Sequence, residues 1–421
     1  MTDNDFITQA QALGRRARVA ARKLAAAGTG PKNAALRAMA RGLVDRTDAL
    51  LAANAADLAD ARKAGLSAAL IDRLTLTPDR VKKMARSVEE IADLRDPVGE
   101  VIEGYVLPNG LRIERIRVPL GVVLTIFESR PNVTSDVAAL CLKSGNAAIL
   151  RGGKESLRSN LAIHRVLADA VASQGLPADA VQMVDTPDRG LSSALLRQDA
   201  LIDLVIPRGG EALIRAVAEE SLIPVIKHYK GVCHVYVDEL ADLDMAEAIC
   251  LNAKVQRPGT CNAMETMLVH KGVAARFLPR VCAKLSDAGV EIRGCERTRE
   301  LWPDAKAATE DDWFAEYLDL ILAVRVVDDI DQAIDHIAAY GSNHTDAIVS
   351  EDIRRVQQFV RDVDSSSVMV NTTTRFSDGG EYGLGAEVGI STDKLHARGP
   401  MGCRDLTTYK WVVTGNGQLR T

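Results

Sequence analysis

The sequence predicts an α/β protein made of two α/β domains and a small β element, and three observations carry that prediction. Between residues 121 and 226 short apolar runs alternate with helical patterns. A second alternation of the same kind begins at His234-Val-Tyr-Val237 and carries a cysteine, Cys261, in one of its loops. A hairpin signal precedes the first alternation, and a late apolar run, Leu406-Thr-Thr-Tyr-Lys-Trp-Val-Val-Thr414, can pair with it.

Taken in order, residues from about 5 to 96 read as several helices, rich in Ala, Leu and Arg, with apolar residues three and four apart. Gly28-Thr-Gly-Pro31 separates the first helix from the second, and Thr77-Pro78 suits the start of a later one. Gly28-Thr-Gly-Pro-Lys32 follows no strand, so it reads as a helix–helix turn rather than a phosphate loop. Val101-Ile-Glu-Gly-Tyr-Val-Leu107 and Leu111-Arg-Ile-Glu-Arg-Ile-Arg-Val118 flank Pro108-Asn109-Gly110. Asn-Gly is the preferred centre of a two-residue hairpin turn. Such a ribbon needs a surface to lie on: its own domain, a second subunit, or both.

The apolar runs that follow are Gly121-Val-Val-Leu-Thr-Ile-Phe127, Ala147-Ala-Ile-Leu150, Val181-Gln-Met-Val184, Leu201-Ile-Asp-Leu-Val-Ile206 and Ile223-Pro-Val-Ile226. Helical patterns at 156–173 and 211–220 lie between them. This alternation implies a parallel, doubly wound sheet, which binds ligands beyond the carboxyl ends of its strands. Two loops there pair glycines with a cation: Arg151-Gly152-Gly153-Lys154, and Pro207-Arg208-Gly209-Gly210, which opens a helix. Backbone N–H groups at such a helix start favour a phosphate. Neither loop is a Walker or a GxGxxG motif, and two plain surface turns are the competing reading. In the second alternation the expected elements are strands at 265–270, 320–327 and 346–349 and helices at 274–288, 330–339 and 353–363.

Cys261 follows Pro258-Gly259-Thr260, a turn that can hold a thiol at a loop tip ahead of a new element. Most single cysteines are small buried hydrophobes. This setting suits an exposed nucleophile instead, because a thiol attacks as thiolate and nearby backbone N–H groups favour that form.

At 421 residues the chain is long enough for two large domains. Apolar content of 47% and charged content of 26% are those of a globular protein. A net charge of −5 argues against nucleic acid or an anionic membrane as partner. Seven scattered cysteines without CxxC read as reduced thiols of a cytoplasmic enzyme. The acidic N-terminus is no targeting signal, and no apolar run is long enough to span a bilayer. His336, His344 and Asp346 lack a usual zinc spacing, so no metal is expected.

Six further stretches stand out together: Gly121-Val-Val with Glu128-Ser-Arg-Pro-Asn-Val-Thr134, Leu142-Lys-Ser-Gly-Asn-Ala-Ala-Ile-Leu-Arg-Gly-Gly-Lys-Glu155, Val255-Gln-Arg-Pro-Gly-Thr-Cys-Asn262, Ala333-Ile-Asp-His-Ile-Ala-Ala-Tyr-Gly-Ser-Asn-His-Thr-Asp-Ala-Ile348, Gly383-Leu-Gly-Ala-Glu-Val-Gly-Ile-Ser-Thr392 and His396-Ala-Arg-Gly-Pro400. In these the chain resembles the aldehyde dehydrogenase superfamily along nearly its whole length, and within it the branch that works on glutamyl phosphate. The fold it implies is aldehyde dehydrogenase-like: a Rossmann-type NADP(H)-binding domain (1–104 and 127–230), an α/β catalytic domain (231–365) and a small β oligomerisation flap (105–126 and 400–421).

The resemblance implies Cys261 as nucleophile and Asn132 as the amide that stabilises the oxyanion. It implies Arg151, Gly152 and Lys154 at the adenosine ribose, where positive charge suits the 2′-phosphate of NADPH. Arg208, Gly209 and Gly210 fall near the pyrophosphate, and Glu316 at the nicotinamide ribose. Arg257, Arg375 and His344 are the candidate substrate cations. Hydrolytic relatives carry a Glu-Leu-Gly-Gly motif upstream of the cysteine, whose Glu activates water. Here that region reads Ile226-Lys-His-Tyr-Lys-Gly231, without the Glu. The implied reaction is NADPH-dependent reduction of L-glutamyl 5-phosphate to L-glutamate 5-semialdehyde and phosphate through a Cys261 thioester, the second step of proline biosynthesis from glutamate. A homodimer or dimer of dimers, and glutamate 5-kinase as supplier of the acyl phosphate, are the implied partners. Two other readings stay open: an oxidising NAD(P)-dependent enzyme using another base such as His228, and a catalytically silent binding protein on the same fold.

Overall fold

A computed structural model describes residues 2–420. The chain divides into two compact units. The first runs to Lys227 and takes in Gly383–Gly389 and the chain from Met401 onward. The second comprises His228–Tyr382 and Ile390–Pro400.

The first unit opens with helices Asp3–Ala25, Thr29–Asp45, Thr47–Lys63, Ala68–Leu74 and Pro78–Asp93. Thr2 and Asp5 form a reciprocal capping box at the first, and Thr77 caps the last with Pro78 just inside it. Gly28 is the N-cap of the second helix, so the early glycine run is a helix–helix turn.

The sheet of this unit has four parallel strands in the order Val181–Met183, Ala147–Arg151, Val122–Phe127, Leu204–Arg208. Strand Val122–Phe127 is buried along its whole length, as a central parallel strand between helices must be. Ile126 lies opposite Arg151, and Phe127 opposite Arg208. That register brings Glu128, Arg151 and Arg208 to one carboxyl edge. The expected strand at 223–226 forms only an isolated bridge, Val205 to Val225. Pro224 has no N–H, so it cannot extend the ladder.

The ribbon pairs Val101–Val106 with Arg112–Pro119, and Thr407–Thr414 adds a third antiparallel strand, as expected. The turn differs from the expected two-residue type. Leu107 N–H bonds Leu111 O at 2.8 Å and Gly110 N–H bonds Leu107 O at 2.8 Å. Gly110 alone of the turn residues takes a left-handed φ, +85°. Pro108 lacks the N–H needed to close a two-residue loop, so the pairing retreats one residue to a three-residue loop.

The second unit holds a seven-stranded parallel sheet. Its order is Lys306–Ala307, Glu291–Gly294, Ile321–Val327, Met264–His270, Cys233–Val237, Thr345–Val349, Ser367–Val370. Helices Leu243–Val255 and Lys271–Asp287 bury Ile249, Phe277, Leu278 and Val281 with Met264, Met267 and Val324 of the sheet. Ile330–Tyr340 and Ile353–Asp362 close a second core around Tyr236, Leu268 and Phe359. Among the described residues no helix is long and apolar enough to cross a membrane.

Candidate active site

Cys261 sits between helix Leu243–Val255 and strand Met264–His270, partly exposed. Thr260 shapes the loop. Its hydroxyl donates to Arg257 O at 2.8 Å, and its carbonyl accepts the Ala263 N–H at 3.0 Å. Asn262 is buried and anchors the far side, donating to Ser377 O at 2.9 Å and accepting at its own carbonyl from Thr374 at 2.7 Å. The carbonyl of Cys261 points inward and accepts from the Cys233 thiol at 3.2 Å. Gly231 lies against it so closely that a Cβ there would stand 1.9 Å from that oxygen. The Gly231 N–H in turn donates to Glu316 Oε1 at 2.9 Å.

The two ends of the loop are pinned by one buried ion pair. Lys254 Nζ, at the end of the helix, meets Glu265 Oε2, at the start of the strand, at 2.6 Å. Both side chains are fully buried. Burial pushes Glu265 up to about 7 against the pull of Lys254, and burial pushes Lys254 down. Glu265 also accepts the Leu318 N–H at 3.1 Å, tying the Glu316 segment to the same frame.

Three loops meet here: the one before strand Cys233–Val237, the one before Met264–His270, and the one before Thr345–Val349. All lie at the amino ends of central strands, opposite to the edge favoured for parallel sheets. His344, next to Thr345, is fully buried. Its Nδ1 faces Thr345 Oγ1 at 2.9 Å and the Cys233 sulfur at 3.7 Å. Burial, aided by His228, lowers its pKa to about 3. That burial works against the cationic form that the expected substrate role of His344 calls for. Arg375 is half-buried and donates from Nε to Gln256 Oε1 at 2.9 Å. Burial lowers its pKa first and Arg257 second, while Cys261 raises it, so both arginines belong to this neighbourhood. Arg257 itself is exposed.

His336 and Asp346 do not join His344. Asp346 Oδ1 takes His234 Nδ1 at 2.7 Å and the His234 N–H at 2.9 Å, and His336 Nδ1 faces Arg325 at 2.9 Å.

In the first unit the residues expected at the cofactor gather at the carboxyl edge of the four-stranded sheet. Arg151 spends three of its N–H groups inside the unit, on Ser192 Oγ at 3.0 Å, Gly152 O at 3.1 Å and Pro187 O at 3.1 Å. Gly152 is buried, and its missing Cβ makes room for the Asn160 amide. Lys154 is exposed. Gly210 N–H, at the start of helix Glu211–Glu220, donates to Glu128 Oε2 at 3.0 Å. A Cβ on Gly209 would collide with that carboxylate. Arg208 bonds Glu387 at 3.1 Å. The helix start therefore accepts an anionic oxygen already, and its glycines leave backbone exposed, which fits the diphosphate of a dinucleotide.

Asn132 is exposed at the start of helix Asn132–Lys143, and its amide donates to Asp136 Oδ2 at 2.9 Å. Burial pushes Asp136 up to about 6, opposed by the Asn132 hydrogen bond. Gly231, Cys233, Glu128 and the Lys254–Glu265 pair escape a reading of the sequence, because each matters through a long-range contact that no local spacing announces.

The model of the aldehyde dehydrogenase family matches residues 2–296. The γ-glutamyl phosphate reductase of Moorella thermoacetica is 55% identical over 412 residues, 98% of this chain and 99% of that one. That of Caldanaerobacter subterraneus subsp. tengcongensis is 52% identical over 98% of this chain and all of its own. The crystal structure of γ-glutamyl phosphate reductase from Thermotoga maritima superposes with a TM-score of 0.96 at 46% identity, covering 98% of this chain and 100% of that one. An acetylating aldehyde dehydrogenase from Geobacillus thermoglucosidasius, 16% identical over 100% of this chain and 99% of its own, shares the fold with a TM-score of 0.69.

Proposed function

The chain belongs to the aldehyde dehydrogenase family and, within it, to the γ-glutamyl phosphate reductases, and from that premise we propose that Cys261 is the atom on which its reaction turns. The reaction is reduction of L-glutamyl 5-phosphate to L-glutamate 5-semialdehyde with release of phosphate. The Cys261 thiolate attacks the γ-carbonyl and forms a tetrahedral oxyanion. A hydrogen-bond donor aimed at that oxygen is typically worth about 3–4 kcal/mol, and Asn132 and the Cys261 N–H are the donors we assign to it. The oxyanion collapses, the C–O bond to phosphate breaks, and a thioester remains on Cys261.

NADPH is the proposed cofactor; Lys154, Arg208, Gly209, Gly210 and Glu316 would hold it, with Arg151 and Gly152 shaping the loop beneath Lys154. When bound, the reduced nicotinamide supplies hydride to the thioester carbon. The residues of the chain then hold the second oxyanion until the C–S bond breaks and Cys261 leaves as thiolate. Arg257 and Arg375 supply charge for the phosphate or the α-carboxylate. Homodimers or dimers of dimers, joined through the ribbon, a kinase as supplier of the acyl phosphate and a cytoplasmic setting complete the proposal.

The observation that carries the reading is the loop itself: a partly exposed thiol whose carbonyl is turned inward and whose two ends are clamped by one buried ion pair. Asp346, Glu265 and Glu316, the carboxylates near Cys233, are engaged by His234, by Lys254 and by backbone N–H groups. That arrangement suits a thioester kept from water. The reaction run backwards tests it. L-Glutamate 5-semialdehyde should reduce NADP⁺ only when phosphate is present; equal rates without phosphate would show hydrolytic oxidation instead.

A further inference from the structure

Cys261 has soft neighbours that reduction does not need. Its sulfur and one ring nitrogen each from His228 and His344 lie within 4.8 Å of one another. We propose that these three side chains form a binding site for a zinc-class divalent ion, which takes Cys261 as a metal thiolate.

The donor set selects the ion. One thiolate and two imidazoles suit Zn²⁺ and its neighbours Co²⁺ and Ni²⁺, whereas Mg²⁺ and Ca²⁺ call for oxygen ligands that this trio lacks. Each histidine spends Nδ1 on the protein. His228 Nδ1 stands 2.9 Å from Ile390 O, an acceptor that keeps a proton on Nδ1 and leaves Nε2 as the nitrogen that can face a metal. A carbonyl behind a histidine in this way is the usual support of a metal ligand. His344 Nδ1 is occupied by Thr345 and Cys233. Its Nε2 is buried and has no hydrogen-bond partner among the described residues. A buried ring nitrogen left unsatisfied destabilises the fold, and a bound ion would remove that cost.

The spacing is nearly right. Ligands at the usual zinc bond lengths stand roughly 3.3–3.6 Å apart around a tetrahedral ion. The trio must close by up to about 1.5 Å from its 4.8 Å limit. Cys261 and His228 are only partly buried and lie outside helices and strands, so they are the ligands that can move; His344 is fixed. Cys233 is not a fourth ligand. It lies on the Nδ1 side of His344, and its thiol donates to the Cys261 carbonyl. Three protein ligands leave one position for water. Coordination exchanges the Cys261 S–H proton for the metal: one proton is released from sulfur, each imidazole binds through a ring lone pair and nothing is oxidised. The basic neighbours Arg257 and Arg375 weaken the attraction, so micromolar rather than tighter affinity is expected. Binding stands on the ligand geometry alone; that it silences catalysis rests on the proposed role of Cys261.

The test uses the full-length protein freed of metal by a chelator and titrated with Co²⁺. One ion per chain should bind, with a sulfur-to-cobalt charge-transfer band and release of about one proton. Cys261→Ser should abolish the band, and His344→Asn should weaken binding at least tenfold. His228→Asn, a change at a less buried residue, should do the same where the His344 variant folds poorly. Zn²⁺ should slow alkylation of the Cys261 peptide by iodoacetamide at least tenfold, reversibly with chelator. The proposal is overturned if Cys261→Ser binds Co²⁺ with unchanged affinity, if the bound ion shows no sulfur band, or if Zn²⁺ leaves Cys261 alkylation unchanged. Loss of the band in a Cys261→Ser protein that still turns over would uphold the metal site and sink the nucleophile.

Discussion

Gly231→Ala adds a single methyl group at the back of the Cys261 loop. That carbon would stand 1.9 Å from Cys261 O, 2.6 Å from its carbonyl carbon and 2.7 Å from its Cα. All three are backbone atoms, so no side chain can rotate away. Ordinary contact would require the two segments to part by about 1.5 Å. Gly231 does not occupy the left-handed region, so the substitution tests space and not backbone strain. Parting them also strains the Cys233 hydrogen bond to Cys261 O and the Gly231 hydrogen bond to Glu316. A misplacement of about 1 Å at reacting atoms can cost about 10²-fold, or roughly 2.7 kcal/mol of barrier. Overpacking should lower stability by about 1–3 kcal/mol. The assay is kcat for phosphate-dependent NADP⁺ reduction, with thermal unfolding alongside. Gly30→Ala, whose added carbon meets open space, is the control and should stay within about twofold on both. A Gly231→Ala protein with near-normal kcat and an unchanged Tm would refute the argument that this glycine sets the nucleophile's position.

Three further outcomes follow from the same geometry. Lys254→Met strands Glu265 as a buried carboxylate and should cost about 3–5 kcal/mol, read by denaturant unfolding; adding Glu265→Leu should recover part of the loss, and a double variant as unstable as the single would contradict the pairing. Asp136 has a folded pKa near 6 against 3.8 for the free group, so the folded state favours its protonated form. Its contribution is therefore full below about pH 4 and is lost as pH rises through about 6, a difference of about 1–3 kcal/mol. Asp136→Asn should flatten the change of Tm between pH 5 and 8 and raise Tm at the upper end, and an unaltered slope would contradict it. Asn132→Ala should lower kcat by about 10²–10³, while loss of its hydrogen bond to Asp136 lowers stability by only about 1 kcal/mol; a small effect on kcat would remove it from the oxyanion.

Much of this was legible in the residues because the signals are local. Pro258-Gly-Thr260 announces a turn, and Cys261 indeed lies at its tip. The strand of a parallel sheet is apolar throughout, so Val122–Phe127 and Ala147–Arg151 stood out. What failed depends on partners far along the chain. Pro108 was visible, yet its effect on the hairpin register needed the ladder opposite it. The burial that lowers the His344 pKa is likewise not written beside it in the sequence. Glu128 is 82 residues from Gly210, and only folding shows the carboxylate sitting at that helix start. The rule that parallel sheets use their carboxyl ends found the loops of the first unit. It could not find the Cys261 cluster, which gathers at amino ends instead.

A covalent intermediate on one sulfur can be caught directly. The semialdehyde and NADP⁺ are mixed with the protein in the absence of phosphate, the mixture is quenched in acid, and the peptides are weighed. A γ-glutamyl group should be found on the peptide that contains Cys261; phosphate added before the quench should discharge it, and Cys261→Ser should never acquire it. An unmodified Cys261 under conditions where NADP⁺ is reduced, or an adduct on a different residue, would contradict the thioester.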